Sequence, residues 1–110
     1  MKNPDLYLIH ILDSSEKIAA YIEGKEFKDF KSDFKLQDAV VWNLETIGEA
    51  TRHLSKQVLD KIDLPWKAIK AIRDKIAHDY LKLDLKILWE TASIDVPKLR
   101  KALLPYNPEK

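Results

Sequence analysis

Over its whole length the chain carries only two glycines, Gly24 and Gly48, and neither an Asn-Gly nor an Asp-Gly pair. Tight β-hairpin turns need residues that accept positive φ, and glycine is the chief of these. A chain without such turns, rich in Leu, Ile, Ala, Lys and Glu, is predicted to be all-α. At 110 residues it is one domain, and 45% hydrophobic content supplies a core, though a thin one. A helical dimer would bury more surface. No internal repeat or low-complexity tract is present.

Apolar spacing divides the chain into helices. The first is expected from Pro4 to Glu23, with Asn3 as its cap and Pro4 at its first position. Its inward face is Leu8, Ile11, Leu12, Ile18, Ala19 and Ile22, and Gly24 stops it. Next, Phe27, Phe30 and Phe34 recur at three- and four-residue spacing, which predicts a short helix or turn delivering three rings to the core. Core packing explains these rings better than a base-stacking platform, because they lie among alternating charges. The second long helix is expected from Lys35 to Leu54. Leu36, Val40, Ile47 and Leu54 make its stripe, widened by Val41, Leu44 and Ala50. Within it, Asn43, Gly48 and Glu49 form a polar seam that reads as close helix packing or as the wall of a cleft.

A short helix in "SKQVLDK" is followed by a break, with Asp63 as cap and Pro65 just inside a third long helix. Trp66, Ile69, Ile72 and Ile76 are its expected core face. A fourth starts after Asp84, with Leu85, Leu88 and Trp89 inward. Pro97 marks a kink or a new start, and "KLRKALL" closes the domain. Residues 1–104 are thus one helical domain, and 105–110, "PYNPEK", a frayed tail.

Charge narrows the function classes. Nineteen basic and 18 acidic residues leave a net charge of +1. No global basic field attracts nucleic acid, so any such contact rests on a local patch. The absence of cysteine excludes disulfides and thiol chemistry. No stretch approaches a membrane span and no signal-peptide pattern opens the chain, so a cytoplasmic protein is expected. His10 and His53 have no metal-ligand spacing and read as surface or partly packed residues. No metal or other cofactor is expected.

The stretch "RDKIAHDY", residues 73–80, concentrates the reactive side chains. At 100° per residue, Arg73 and Tyr80 lie almost on one line, and Asp74 neighbours His78. Arg73 and His78 point apart on one straight helix. They converge only where the helix ends near His78 or where two copies meet. A bland reading exists for each: Asp74 and His78 as a surface pair, Tyr80 packing by its ring, Arg73 as a solvated charge. Against it stands the choice of arginine. Only Arg52, Arg73 and Arg100 among the 19 basic residues are arginines, so lysine is the default surface cation. An arginine near a histidine suggests a need for a planar, bidentate donor. Together the two suffice for metal-independent RNA cleavage, the histidine moving protons and the arginine stabilising charge at phosphorus.

Arg73-Asp74-x3-His78-x-Tyr80 resembles the R-polar-x3-H-x-Y motif of the HepT-like branch of the HEPN superfamily. "NLETIGEAT" upstream, "LPW" before the motif and "LDLKILWE" after it are similar to that family's usual context. The likeness runs from the first helix to about Leu104. It implies an up-down bundle of four or five helices that forms a homodimer. It implies a ribonuclease toxin acting on RNA, with Arg73 and His78 as catalytic residues. Asp74 stands where many relatives carry asparagine; an acid repels the scissile phosphate, so orienting His78 is its better role. The implied partner is an MntA-like nucleotidyltransferase antitoxin that adenylylates the motif tyrosine, Tyr80 here. Two other functions compete: a non-catalytic nucleotide- or partner-binding subunit of a two-component nucleotidyltransferase, and a purely structural helical dimer.

Overall fold

The computed structural model describes residues 4–67, 69–71, 74 and 84–107. Every regular element among them is helical, as the glycine-poor sequence predicts. The helices are α1 (Pro4–Ile22), α2 (Phe27–Lys31), α3 (Phe34–Arg52), α4 (Lys56–Lys61), α5 (Leu85–Glu90) and α6 (Val96–Leu103). A π-helical turn, Thr91–Asp95, joins α5 to α6, and a 3₁₀ turn, Leu104–Tyr106, follows α6. Residues 66, 67, 69–71 and 74 are also helical and lead into the motif.

The core forms where α1 packs along α3, with α6 against α1. From α1 come Leu8, Ile11, Leu12 and Ile18; from α3 come Leu36, Val40, Val41, Leu44, Ile47 and Ala50, all buried. Burying each large aliphatic side chain stabilises the fold by about 1.5–3 kcal/mol. Three polar residues inside this core bond back along their own helices. Ser15 Oγ donates to the Leu12 carbonyl at 2.8 Å, Thr51 Oγ1 to that of Ile47 at 2.7 Å, and Asn43 Nδ2 to that of Ala39 at 2.9 Å.

Ends and breaks follow local chemistry. Gly24 has φ +74°, the left-handed conformation that ends a helix at little cost only for glycine. Glu26 and Asp29 start α2 with a reciprocal capping box. Asp33 caps α3 through the Leu36 amide, and Ser55 caps α4 through that of Val58. In the π turn the Val96 amide donates to Thr91, five residues back. Such a turn accommodates Pro97, which has no N–H to continue an α-helical ladder.

Two expectations for the core are corrected. Phe30 is fully buried and stacks obliquely on Trp89 at 5.4 Å, and Phe27 packs at the core edge, but Phe34 is 77% exposed. The physical reason is the Asp33 cap, which ends the run of α2 and makes Phe34 the first residue of α3. Its ring therefore follows a different helix axis. Ala19 is also exposed, one position past the buried Ile18. The expected cap Asn3, the expected core residues Ile72 and Ile76, and residues 108–110 lie outside the described residues.

Candidate functional site

The motif lies between two anchored stretches. On its N-terminal side Trp66 is half-buried, and its indole N–H donates to the carbonyls of Ile62 at 2.9 Å and Leu59 at 3.1 Å. These carbonyls belong to the end of α4, where a helix leaves acceptors without internal partners. One turn on, Ile69 is buried and its amide donates to Pro65. On the C-terminal side Asp84 caps α5, accepting from the Lys86 amide at 2.9 Å and the Ile87 amide at 3.4 Å. Leu88 then enters the core, with Leu85 and Trp89 packed against it.

Of the four residues singled out in the sequence, only Asp74 is described: it is helical and exposed. Arg73, His78 and Tyr80 lie outside the described residues. Beside the stretch entering the motif is an apolar cavity of about 350 Å³. Leu44 and Ile47 of α3, Leu64, Pro65 and Ile69, and Val96 and Leu99 of the last helix line it, with Thr91, Asp95 and Lys98 as its polar edge.

A second constellation stands where α1 meets the other flank of α3. Glu49 Oε1 is 3.2 Å from His53 Nε2, and Oε2 is 3.7 Å from Arg52. The His53 ring stacks on Tyr7 at 4.8 Å, and Tyr7 meets His10 edge-on at 6.1 Å. A cavity of about 290 Å³ opens beside them, lined also by Trp42, Glu45, Thr46 and Ala50. The polar seam expected in α3 is therefore divided. Asn43 and Gly48 are buried, whereas Glu49 faces this cavity. The four-residue spacing of Glu49 and His53 is visible in the sequence; the arrival of Tyr7 and His10 beside them depends on how α1 crosses α3. Both histidines are exposed at this surface, in agreement with the reading of their spacing.

Among the described residues no three His, Cys, Asp or Glu side chains converge as metal ligands, and no helix is long and apolar enough to cross a membrane.

Residues 11–105 match the sequence model of the family described as Ribonuclease HepT-like. That span holds the whole motif and both of its anchors. The chain belongs to the HepT-like ribonuclease family. It is 41% identical over 102 residues to a "Putative RNase" of Caldanaerobacter subterraneus subsp. tengcongensis, covering 92% of this chain and 91% of that one. It is 35% identical over 95 residues to the "Probable ribonuclease HepT" of Thermococcus cleftensis, covering 86% of each. A "Gamma-glutamylcyclotransferase and putative RNase" of Methanocaldococcus jannaschii is 38% identical over 109 residues. Those cover 98% of this chain but 49% of that longer protein. No solved structure matches the chain.

Proposed function

We propose that this protein is a metal-independent endoribonuclease, the toxin of a toxin–antitoxin pair, acting in the cytoplasm. The observation that carries the reading is the family match across residues 11–105, a span that includes Arg73, Asp74, His78 and Tyr80. His78 moves a proton to or from the 2′-hydroxyl or the leaving oxygen, and Arg73 stabilises charge on the crowded phosphorus. Asp74 orients His78. One histidine per chain supplies one proton-transfer group, and a two-fold axis near the motif supplies the second. The two Arg73 forks then make a local basic cleft on a protein of net charge +1.

Purified protein should cleave RNA in the presence of excess chelator and leave 2′,3′-cyclic phosphate ends or their hydrolysis products. Loss of cleavage in chelator, restored by a divalent ion, overturns the metal-free chemistry. No cleavage under any condition, with binding to a nucleotidyltransferase retained, favours the non-catalytic subunit, the reading that the near-neutral charge supports.

The partner in this proposal is an MntA-like nucleotidyltransferase that adenylylates Tyr80. Tyr80 is seven residues from Arg73, a spacing that on a continuous helix would put both on one face. AMP on its hydroxyl carries a phosphodiester charge to the place where RNA phosphate binds. Two unit charges ~6 Å apart at an effective dielectric of ~20 repel by roughly 3 kcal/mol, about a hundredfold in binding. The adenylate's bulk adds a steric block. Tyr80→Phe should fold, cleave RNA and escape neutralisation when co-expressed with the transferase. Growth and intact protein mass read the result. If Tyr80→Phe still gains AMP and is silenced like wild type, Tyr80 is not the switch.

A further inference from the structure

The cavity of about 290 Å³ between α1 and α3 is chemically one-sided. Tyr7, His10 and Trp42 give it ring walls, and no lysine or arginine is among the described residues that line it. Its two acids differ in what they are already doing. Glu49 is engaged within the chain, through Oε1 with His53 at 3.2 Å and through Oε2 with Arg52 at 3.7 Å. Glu45, one turn earlier on α3, is half-buried and has no hydrogen bond or ion pair with a described residue. Glu45 is therefore the acceptor left for a ligand.

The walls stand in place before any ligand arrives. His53, held by Glu49, stacks on Tyr7 at 4.8 Å, and Tyr7 meets His10 edge-on at 6.1 Å. Thr46 donates its hydroxyl to the Trp42 carbonyl at 3.1 Å, so it asks nothing of a ligand. Ala50 is buried and small, which leaves the floor open. Trp42 is 69% exposed, so its ring is reachable from solvent. Preorganised walls reduce the ordering that binding requires.

Aromatic faces are electron-rich, and they attract cations and disfavour anions. We propose that this cavity binds a guanidinium group, stacked on the indole of Trp42 and forked onto the carboxylate of Glu45. Phosphate is excluded by the same rings and carboxylates that favour a cation. A metal ion is a poor fit, because among the described residues no three His, Asp or Glu side chains converge. The volume lies at the lower limit of small-molecule sites, enough for a guanidinium on a short stem. An ammonium is compact and strongly hydrated. A guanidinium is planar and more weakly hydrated, so it can stack on a ring and donate two parallel hydrogen bonds at once. The group has two sources, a free alkylguanidine or an arginine side chain of another protein.

Binding is measured on the whole chain without RNA, so its outcome is independent of the ribonuclease reading. The chain has three tryptophans and hence three indole N–H signals in a ¹H–¹⁵N spectrum, and Trp42→Phe assigns the one from Trp42. Butylguanidinium, titrated to about 20 mM against the same concentration of sodium chloride, should shift that signal saturably. Butylurea, of the same shape without the charge, should bind at least about tenfold more weakly. Glu45→Gln and Trp42→Leu should each weaken binding about tenfold, read at the backbone amides of Thr46 and Glu49. Both side chains reach the surface, so the helical circular dichroism should be unchanged. A Gly-Arg-Gly peptide blocked at both ends separates the sources. Binding at least as tight as butylguanidinium assigns the site to a protein's arginine, and exclusion of the peptide assigns it to a free guanidine. No saturable shift at Trp42, equal binding of butylurea, or an undiminished response in Glu45→Gln each overturns the proposal.

Discussion

His78→Ala should cleave RNA about 10²–10⁴-fold more slowly than the wild type, the range typical for losing a positioned general acid or base. The loss sits at the upper end if both copies of His78 serve one scissile bond, because the substitution removes the acid and the base together. Mixed assemblies separate these cases. Co-assembly of His78→Ala with wild-type chains should give fewer active sites than the wild-type share if each site draws on both chains. Activity in strict proportion to the wild-type share would show that each chain works alone. Folding is not expected to change, because the anchors on either side of the motif are Trp66, Ile69, Asp84 and Leu88. A His78→Ala protein that is folded, binds RNA and cleaves at the wild-type rate would remove the catalytic reading altogether.

The second large effect is expected at Arg73. Arg73→Lys keeps the positive charge but loses the planar fork that meets two phosphate oxygens at once. Removing one directed donor from a site of developing charge typically costs 10²–10³ in rate. On the proposed mechanism, in which the fork stabilises charge on the crowded phosphorus, the loss should appear mainly in kcat. Single-turnover cleavage at saturating protein measures this directly. A near-normal rate in Arg73→Lys would show that charge alone is needed there. The same substitution at Arg100, an arginine outside the motif, serves as the control.

Helical periodicity was informative wherever a helix buries one continuous face. The stripes on α1 and α3 predicted Leu8, Ile11, Leu12, Ile18, Leu36, Val40, Leu44 and Ile47 as core, and all are buried. Periodicity misleads where it runs across a cap. Phe27, Phe30 and Phe34 share one spacing but not one helix, and Asp33 is the residue that separates them. It also cannot count hydroxyls that bond back along their own helix, which is how Ser15 and Thr51 become fully buried. The π turn before Pro97 was hinted at by two successive four-residue steps, Leu88 to Ala92 to Val96, all buried. On a regular α-helix those steps drift by about 40° each, and the wider turn absorbs the drift. The R-x4-H-x-Y pattern is a matter of residue order alone. The cluster of Tyr7, His10, Glu49 and His53 is not, because it unites the start of one helix with the end of another.

The anchors of Trp66 and Asp84 bear on how such a chain changes over generations. Their hydrogen bonds to Leu59, Ile62, Lys86 and Ile87 hold the stretches entering and leaving the reactive segment. Selection on folding and selection on chemistry therefore act on different positions. A descendant that loses its histidine or arginine keeps a stable body, and that body is free to be retained for another purpose. Substitution at Trp66 carries the opposite penalty, since it loosens the scaffold before any reaction is considered. Lineages of this fold should accordingly hold the indole more firmly than the imidazole.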